Sequence, residues 1–323
     1  PYGQGKKNWQ QHAEKVISNS IMNAIQRIKL FLALSRTPHG LLDMTTPAFC
    51  VLMYLGGFPP ADVVLIGLMT AFAGYTAIYA FNDVVDYRSD KQRHAHSISP
   101  SNGYLDSLMV RHPMAQGLLP FREGVVWACG WSVVALVGAW LLNPVCALIF
   151  LFGAGLEAAY CLLWRVSPWR AVVSGFVKNM GAVAALFAVD PTPSPGFMGV
   201  LFLCLFFWEI GGQNIPADWT DIDEDRRLNA QTIPVRLGEM KSAALAFASL
   251  AAAACFCCLL FWTSFPEAQW IALLCSLMVS IGLLFEPGLR LLRSRSREDA
   301  MSLFNKASYF PPSLLIIVFI FVL

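Results

Sequence analysis

The sequence predicts an all-α polytopic membrane protein, with nine transmembrane helices around a central cavity in two pseudo-repeated four-helix units with cytoplasmic cap loops. Three observations predict it. Hydrophobic residues make up 56% of the chain and charged residues 14%, whereas a soluble domain carries about 25% charged residues. Nine apolar stretches approach the roughly 20 residues that a helix needs to cross hydrocarbon. The loops between them alternate sharply in basic charge.

In chain order, residues 1–40 form a basic arm carrying Lys6, Lys7, Lys15, Arg27, Lys29 and Arg36. Its stretch Ile17–Ala33 is amphipathic, which predicts a helix lying on the interface. No uninterrupted apolar core in this arm marks a signal peptide. Residues 41–323 read as one transmembrane domain, with spans expected near 41–57, 60–81, 124–142, 144–163, 171–189, 197–216, 242–264, 267–286 and 308–323. The turns Gly56–Asp62, Asn143–Pro144, Asp190–Gly196 and Thr263–Gln269 contain no Lys or Arg. The intervening loops hold Arg88, Lys91, Arg93, Arg111 and Arg122, then Arg165 and Arg170, then Arg226, Arg227, Arg236 and Lys241, then Arg290 to Lys306. The positive-inside rule therefore places the N-terminus and every even-numbered loop in the cytoplasm. The expected location is the cytoplasmic (inner) membrane of a prokaryote. A net charge of +2 gives no reason to expect nucleic-acid binding. The nine cysteines all fall within predicted spans and read as small packing residues rather than as a disulfide framework or zinc site.

Two acidic clusters stand out against this apolar background. Asn82-Asp83-Val-Val-Asp86-Tyr-Arg-Ser-Asp90 follows the second span, and Asp218-Trp-Thr-Asp221-Ile-Asp-Glu-Asp225 follows the sixth. Both read D-x-x-D-x-x-x-D. On a helix these positions stay within about 60° of one another, so each cluster is a stripe of carboxylates on one face. Such mutual repulsion calls for a compensating cation. Oxygen-only donors select hard ions, and Mg²⁺ bridges carboxylates to phosphate oxygens. Two such clusters around one anion describe a diphosphate site. The repeat distance is 135 residues and four spans, so orientation is preserved and the stripes are expected to face one cavity. The loops carrying them, about 83–123 and 217–238, are long enough to cap it.

Inside the spans, Lys178 is basic, with Asn179 beside it. A buried ammonium lines a hydrated cavity or has a counter-charge. Either Lys178 meets an anionic leaving group, or it pairs with Glu157 or Glu209. Glu209, Gln213 and Asn214 form a polar face running toward the second stripe, read as cavity wall. His94, His96 and His112 in the first cap loop read as solvated side chains.

The Asn82–Asp90 cluster resembles the NDxxDxxxD motif of the UbiA superfamily of intramembrane prenyltransferases, and Asp221-x-x-x-Asp225 resembles its second motif. The run from Arg227 through Thr232 and Arg236 to Gly238 is similar to that family's T-x-x-V-R-L-G segment. His112-Pro113-Met-Ala-Gln-Gly117 is similar to its R-P-L-x-S-G element, with His where Arg is usual, so Arg111 or Arg93 is the expected source of that charge. Arg36 precedes the first span, as in the family. The resemblance covers about residue 30 to the C-terminus. It implies Mg²⁺ held by Asn82, Asp86, Asp90, Asp221 and Asp225, and the stripe spacing adds Asp83 and Asp218 to the expected metal ligands. It also implies that Arg36, Arg111, Arg165 and Lys178 hold the diphosphate, with Asp86, Asp221 and Lys178 central to catalysis. The implied reaction ionises an isoprenyl diphosphate to an allylic cation, which an electron-rich acceptor attacks within membrane lipid. An aromatic acceptor on a quinone pathway is the expectation taken forward. Ether-lipid, haem O or chlorophyll acceptors and phosphoribosyl transfer are the alternatives within the family. An ion-coupled transporter, the rival of another class, would continue polar residues to the far side, where they are sparse.

Overall fold

The computed structural model describes residues 24–96 and 109–323, and among them there is helix but no strand. Lys6, Lys7, Lys15, the start of the expected interfacial helix and the insert's Ser97 to Gly103 lie outside the described residues, as do the side chains of His94 and His96. Residues 24–34 are helical, with Ile25 and Ile28 exposed and Leu34 buried. The elements then run α1 (Thr37–Asp43), α2 (Thr45–Leu55), α3 (Ala61–Val85), α4 (Tyr87–His96), α5 (Phe121–Leu142), α6 (Pro144–Leu162) and α7 (Arg170–Val189). They continue as α8 (Pro195–Trp208), α9 (Ile215–Thr220), α10 (Ile222–Arg227) and α11 (Ile233–Ser264). The last are α12 (Gln269–Ser280), α13 (Glu286–Ser294), α14 (Arg297–Ser308) and α15 (Phe310–Val322). A π-helical turn, Glu209–Asn214, joins α8 to α9, and a second, Ile281–Phe285, joins α12 to α13.

Eight described helices are long and apolar enough to cross a membrane. The stretch expected as the first span, 41–57, is not one of them. It is divided into α1 and α2 at Met44. Pro47 explains the division, because it has no N–H to give the Asp43 carbonyl one turn earlier. α2 nevertheless packs against α7 and α15 inside the bundle. At the other end, the basic loop expected before the last span is mostly helix. α13 and α14 meet at Arg295 in the left-handed region (φ 55°) and at Ser296, whose hydroxyl caps α14 by accepting from the Asp299 N–H.

Packing differs between the two halves. α3 and α5 pack closely, with Ala80 of one and Ala128 of the other buried in the same cluster. Small residues let backbones approach closely where lipid offers no hydrophobic drive for association. The largest continuous core lies in the second half, where Phe49, Leu205, Leu250, Phe261 and Phe310 are fully buried among α2, α8, α11 and α15. A cavity of about 460 Å³ is lined mostly by residues of α1 to α3 and α5 to α7, with Glu209, Gln213, Asn214, Ala217 and Phe304 contributed by the second half. Its polar end is at Arg36 and Asn82, and Leu68, Leu142 and Val189 line its apolar far side.

Candidate active site

Both acidic stripes break at the same position. Asp86 (φ −83°, ψ 1°) separates α3 from α4, and Asp221 (φ −106°, ψ 12°) separates α9 from α10. This is the sparsely populated bridge region, which recurs at active sites. The helical hydrogen bond survives across each break, from Asp90 N–H to the Asp86 carbonyl and from Asp225 N–H to the Asp221 carbonyl, both 2.8 Å. Each stripe thus keeps its facing while the chain turns at its middle carboxylate.

Two basic residues of the segment that follows the first stripe reach the second. Arg93 donates to Asp225 Oδ1 at 3.2 Å with its guanidinium over the Trp164 ring, and Arg111 donates to Asp221 Oδ2 at 3.1 Å. Trp164 Nε1–H also donates to Asp225 Oδ1, at 3.3 Å. Burial pushes the Asp221 carboxyl up, but the nearby Arg111 and Arg93 charges outweigh it and hold it below the usual carboxylate value. Burial and neighbouring Asp90 push Asp86 up, and Arg170 and Arg93 only partly oppose them. Asp218 Oδ2 is buried with no hydrogen-bond partner among the described residues.

Within the first stripe the side chains diverge. His112 Nδ1 lies 3.1 Å from Asp83 Oδ1 and 3.0 Å from Asp90 Oδ2, and the three ligand atoms fall within 4.8 Å of one another. Burial pulls the imidazole down, yet the two carboxylates push it up further, so it holds its proton more tightly than a free histidine. That proton in turn keeps Asp90 low against the effect of burial. The solvated reading of His112 is therefore corrected: it bridges two carboxylates. Arg36 donates to Asp83 Oδ1 at 3.2 Å and to Asn82 Oδ1 at 3.4 Å. Asn82 in turn donates to Glu157 Oε1 at 2.5 Å.

Lys178 faces the cavity, but neither Glu157 nor Glu209 is its ion-pair partner. Its ammonium sits 2.6 Å from Asp43 Oδ2, which also accepts from the Tyr79 hydroxyl. Glu209 Oε1 accepts from the Ser174 hydroxyl at 2.6 Å. Glu209, Gln213 and Asn214 all line the cavity as expected. They do so through a π-helical turn, made possible by Gly211 and Gly212. A Cβ on Gly211 would stand 2.6 Å from the Ala246 carbonyl oxygen, and one on Gly212 would stand 2.8 Å from Ala307 Cβ. Asn179 does not line the cavity. It is fully buried and hydrogen-bonds to the Gly175 carbonyl of its own helix, because one residue further along a helix turns the side chain about 100° away. Arg165 bonds Gln92 at 2.6 Å on an exposed flank, so it is not gathered with the carboxylates.

Two groups escaped the sequence reading. Asp43 was the sole carboxylate within the first apolar stretch, which was its signal. Arg170 stood among loop charges, yet it is buried over the Tyr160 ring, hydrogen-bonded to that hydroxyl and close to both Asp86 and Asp218.

The family model described as the UbiA prenyltransferase family matches residues 44–310. A digeranylgeranylglyceryl phosphate synthase of Thermococcus kodakarensis is 22% identical over 215 residues, which is 67% of this chain and 71% of that protein. A 4-hydroxybenzoate octaprenyltransferase of Aromatoleum aromaticum is 25% identical over 226 residues, 68% of this chain and 70% of the other. Among solved structures, a UbiA homologue from Archaeoglobus fulgidus bound to DMAPP and Mg²⁺ superposes with a TM-score of 0.63 at 15% identity, covering 90% of this chain and 99% of that one.

Proposed function

Since this chain belongs to the UbiA prenyltransferase family, we propose that it transfers an isoprenyl group from its diphosphate to an aromatic acceptor, as a step in making a quinone. The observation that carries the proposal is that Arg93 and Arg170 act on carboxylates of both stripes, beside a cavity whose polar end includes Asn82 and Asn214 and which is apolar beyond it. Diphosphate and hydrocarbon tail need those two environments in one continuous space.

The donor set fits Mg²⁺. It offers carboxylate oxygens, and the partnerless Asp218 Oδ2 is a buried donor of the kind that a cation satisfies. Asp86, Asp90, Asp218, Asp221 and Asp225 would hold the metal, which supplies positive charge to the leaving diphosphate when bound. Asn82 and Asp83, tied to Arg36 and His112, position the first stripe. Arg93, Arg111 and Arg170 lie where negative charge develops and stabilise it electrostatically. Tyr79 and Tyr160 line the cavity, each with a side-chain cation over its ring, Arg36 and Lys178 at Tyr79 and Arg170 at Tyr160. The proposed orientation puts the stripes at the cytoplasmic face of a prokaryotic inner membrane, following the loop charges.

A second reading, prenyl transfer to a non-aromatic alcohol, is favoured by the name of the matched Thermococcus relative. One assay separates the two and tests both: purified protein with labelled polyprenyl diphosphate and a panel of phenols and lipid alcohols, with Mg²⁺ removed and restored. Transfer to a phenol that needs Mg²⁺ and disappears in Asp86→Ala combined with Asp221→Ala is expected. Transfer that survives the paired substitution overturns the site, and transfer only to alcohols overturns the aromatic acceptor.

A further inference from the structure

The charges inside the cavity constrain the acceptor more tightly than the word aromatic does. Among the described residues two permanently cationic side chains line it, and each has a carboxylate partner. Arg36 is held by Asp83 at 3.2 Å and Lys178 by Asp43 at 2.6 Å. His39 also faces Asp43, at 3.9 Å. Two further carboxylates line the same space without an ion pair among the described residues. Glu157 takes the Asn82 amide and Glu209 takes the Ser174 hydroxyl. An acceptor carrying its own carboxylate or phosphate would meet these two anions, and both cations there are already neutralised. Like charges brought together in a poorly solvated space repel strongly.

Glu209 has a second property. It is 4% exposed, it lines the cavity, and its Oε2 has no hydrogen-bond partner. A buried carboxylate oxygen left without a donor is unusual and costly. A hydroxyl in the cavity would supply that donor. The π-helical turn beginning at Glu209 holds the side chain toward the cavity, and such turns are frequent at functional sites.

We propose that the acceptor is an uncharged phenol whose hydroxyl donates to Glu209 Oε2, and that Glu209 is the base that takes its proton. The proposal rests on the aromatic-acceptor reading above. As the O–H proton passes to Glu209, electron density moves into the ring, and a ring carbon forms the new C–C bond to C1 of the prenyl group. The C1–O bond has already broken, with its electron pair leaving on the diphosphate, so the ring carbon attacks the allylic cation. The alkylated ring carbon then loses its own hydrogen as a proton, the ring oxygen takes up a proton, and the ring regains aromaticity. The proton on Glu209 is the one released. No oxidant or reductant is needed.

The test compares matched acceptors on wild-type protein: phenols and hydroquinones with and without a ring carboxylate, each with labelled polyprenyl diphosphate and Mg²⁺. The uncharged member of each pair is expected to have the higher kcat/KM by about tenfold or more. Glu209→Gln is expected to lower kcat for it by about 100-fold, to leave the KM for the prenyl diphosphate unchanged, and to abolish the acidic limb of the pH–rate profile. Preference for the carboxylated phenol overturns the proposal while leaving the aromatic reading intact. So does a wild-type kcat in Glu209→Gln. If no phenol of either kind is prenylated, the aromatic reading falls, and this proposal with it. The acceptor comparison needs no variant, so it stands even if Glu209→Gln folds poorly.

Discussion

Replacing Lys178 by Met separates a structural role for this residue from direct contact with diphosphate. The ammonium lies 2.6 Å from Asp43 Oδ2, and at that distance two unit charges attract by about 6 kcal/mol at an effective dielectric of 20. Desolvation of both ions offsets much of this, so the net worth of the pair is small. Removing one partner is different, because the other charge is left buried and unbalanced, at a cost of about 3–5 kcal/mol. Asp43 would keep the Tyr79 hydroxyl, which argues for the lower end, about 3 kcal/mol. At roughly 2 °C per kcal/mol for a chain of this size, Tm in detergent should fall by about 6 °C. Asp43→Leu combined with Lys178→Met removes both charges and should recover to within about 1 kcal/mol of wild type. Thermal unfolding of the wild type, both single variants and the double variant reads this coupling directly. If the two losses simply add, the pair carries no coupling and the reasoning fails. If the double variant is stable but cannot bind prenyl diphosphate, Lys178 touches the leaving group after all.

The remaining predictions concern the cap, the π-helical turn and the metal. In Mg²⁺-free protein, His112 has a pKa raised above its ordinary 6.5. Its contribution to stability is therefore complete below that value and fades as pH rises through the raised one. Tm should decline across that range in the wild type and stay flatter in His112→Gln; equal slopes would refute the bridging role. Gly211→Ala drives a Cβ to 2.6 Å from the Ala246 carbonyl oxygen, so overpacking of about 1–3 kcal/mol should appear in thermal unfolding. The same variant should prenylate more slowly because Glu209 moves with the turn, and an unchanged rate would detach the turn from catalysis. Chelation of Mg²⁺ should abolish transfer and re-addition restore it, while Ca²⁺, larger and with looser coordination, restores less.

Much of the architecture was legible because membranes impose local rules. Most spans declare themselves by composition alone, and the loop charges sort them. The stripes show as a duplicated spacing, and Asp86 and Asp221 still occupy equivalent breaks in the fold. The polar face Glu209–Gln213–Asn214 was also legible, although its π-helical geometry was not, since that depends on how closely α11 and α14 approach Gly211 and Gly212. The first span misled because Pro47 divides an otherwise apolar run.

By itself the sequence determined the duplicated carboxylate spacing after two apolar stretches, and from it the expectation of a compensating cation. Those are properties of spacing and composition within one segment. Only the tertiary structure decided which charge answers which. Arg93 and Arg111 reach the opposite stripe, His112 joins Asp83 to Asp90, and Lys178 turns to Asp43 while its neighbour Asn179 points away. Each pairing joins residues that are distant in the chain, and no periodicity encodes which helices become neighbours. The same packing leaves Glu209 without an ion pair among the described residues and with Oε2 lacking a hydrogen-bond partner, because its side chain is fixed by the helices around it rather than by its place in the sequence.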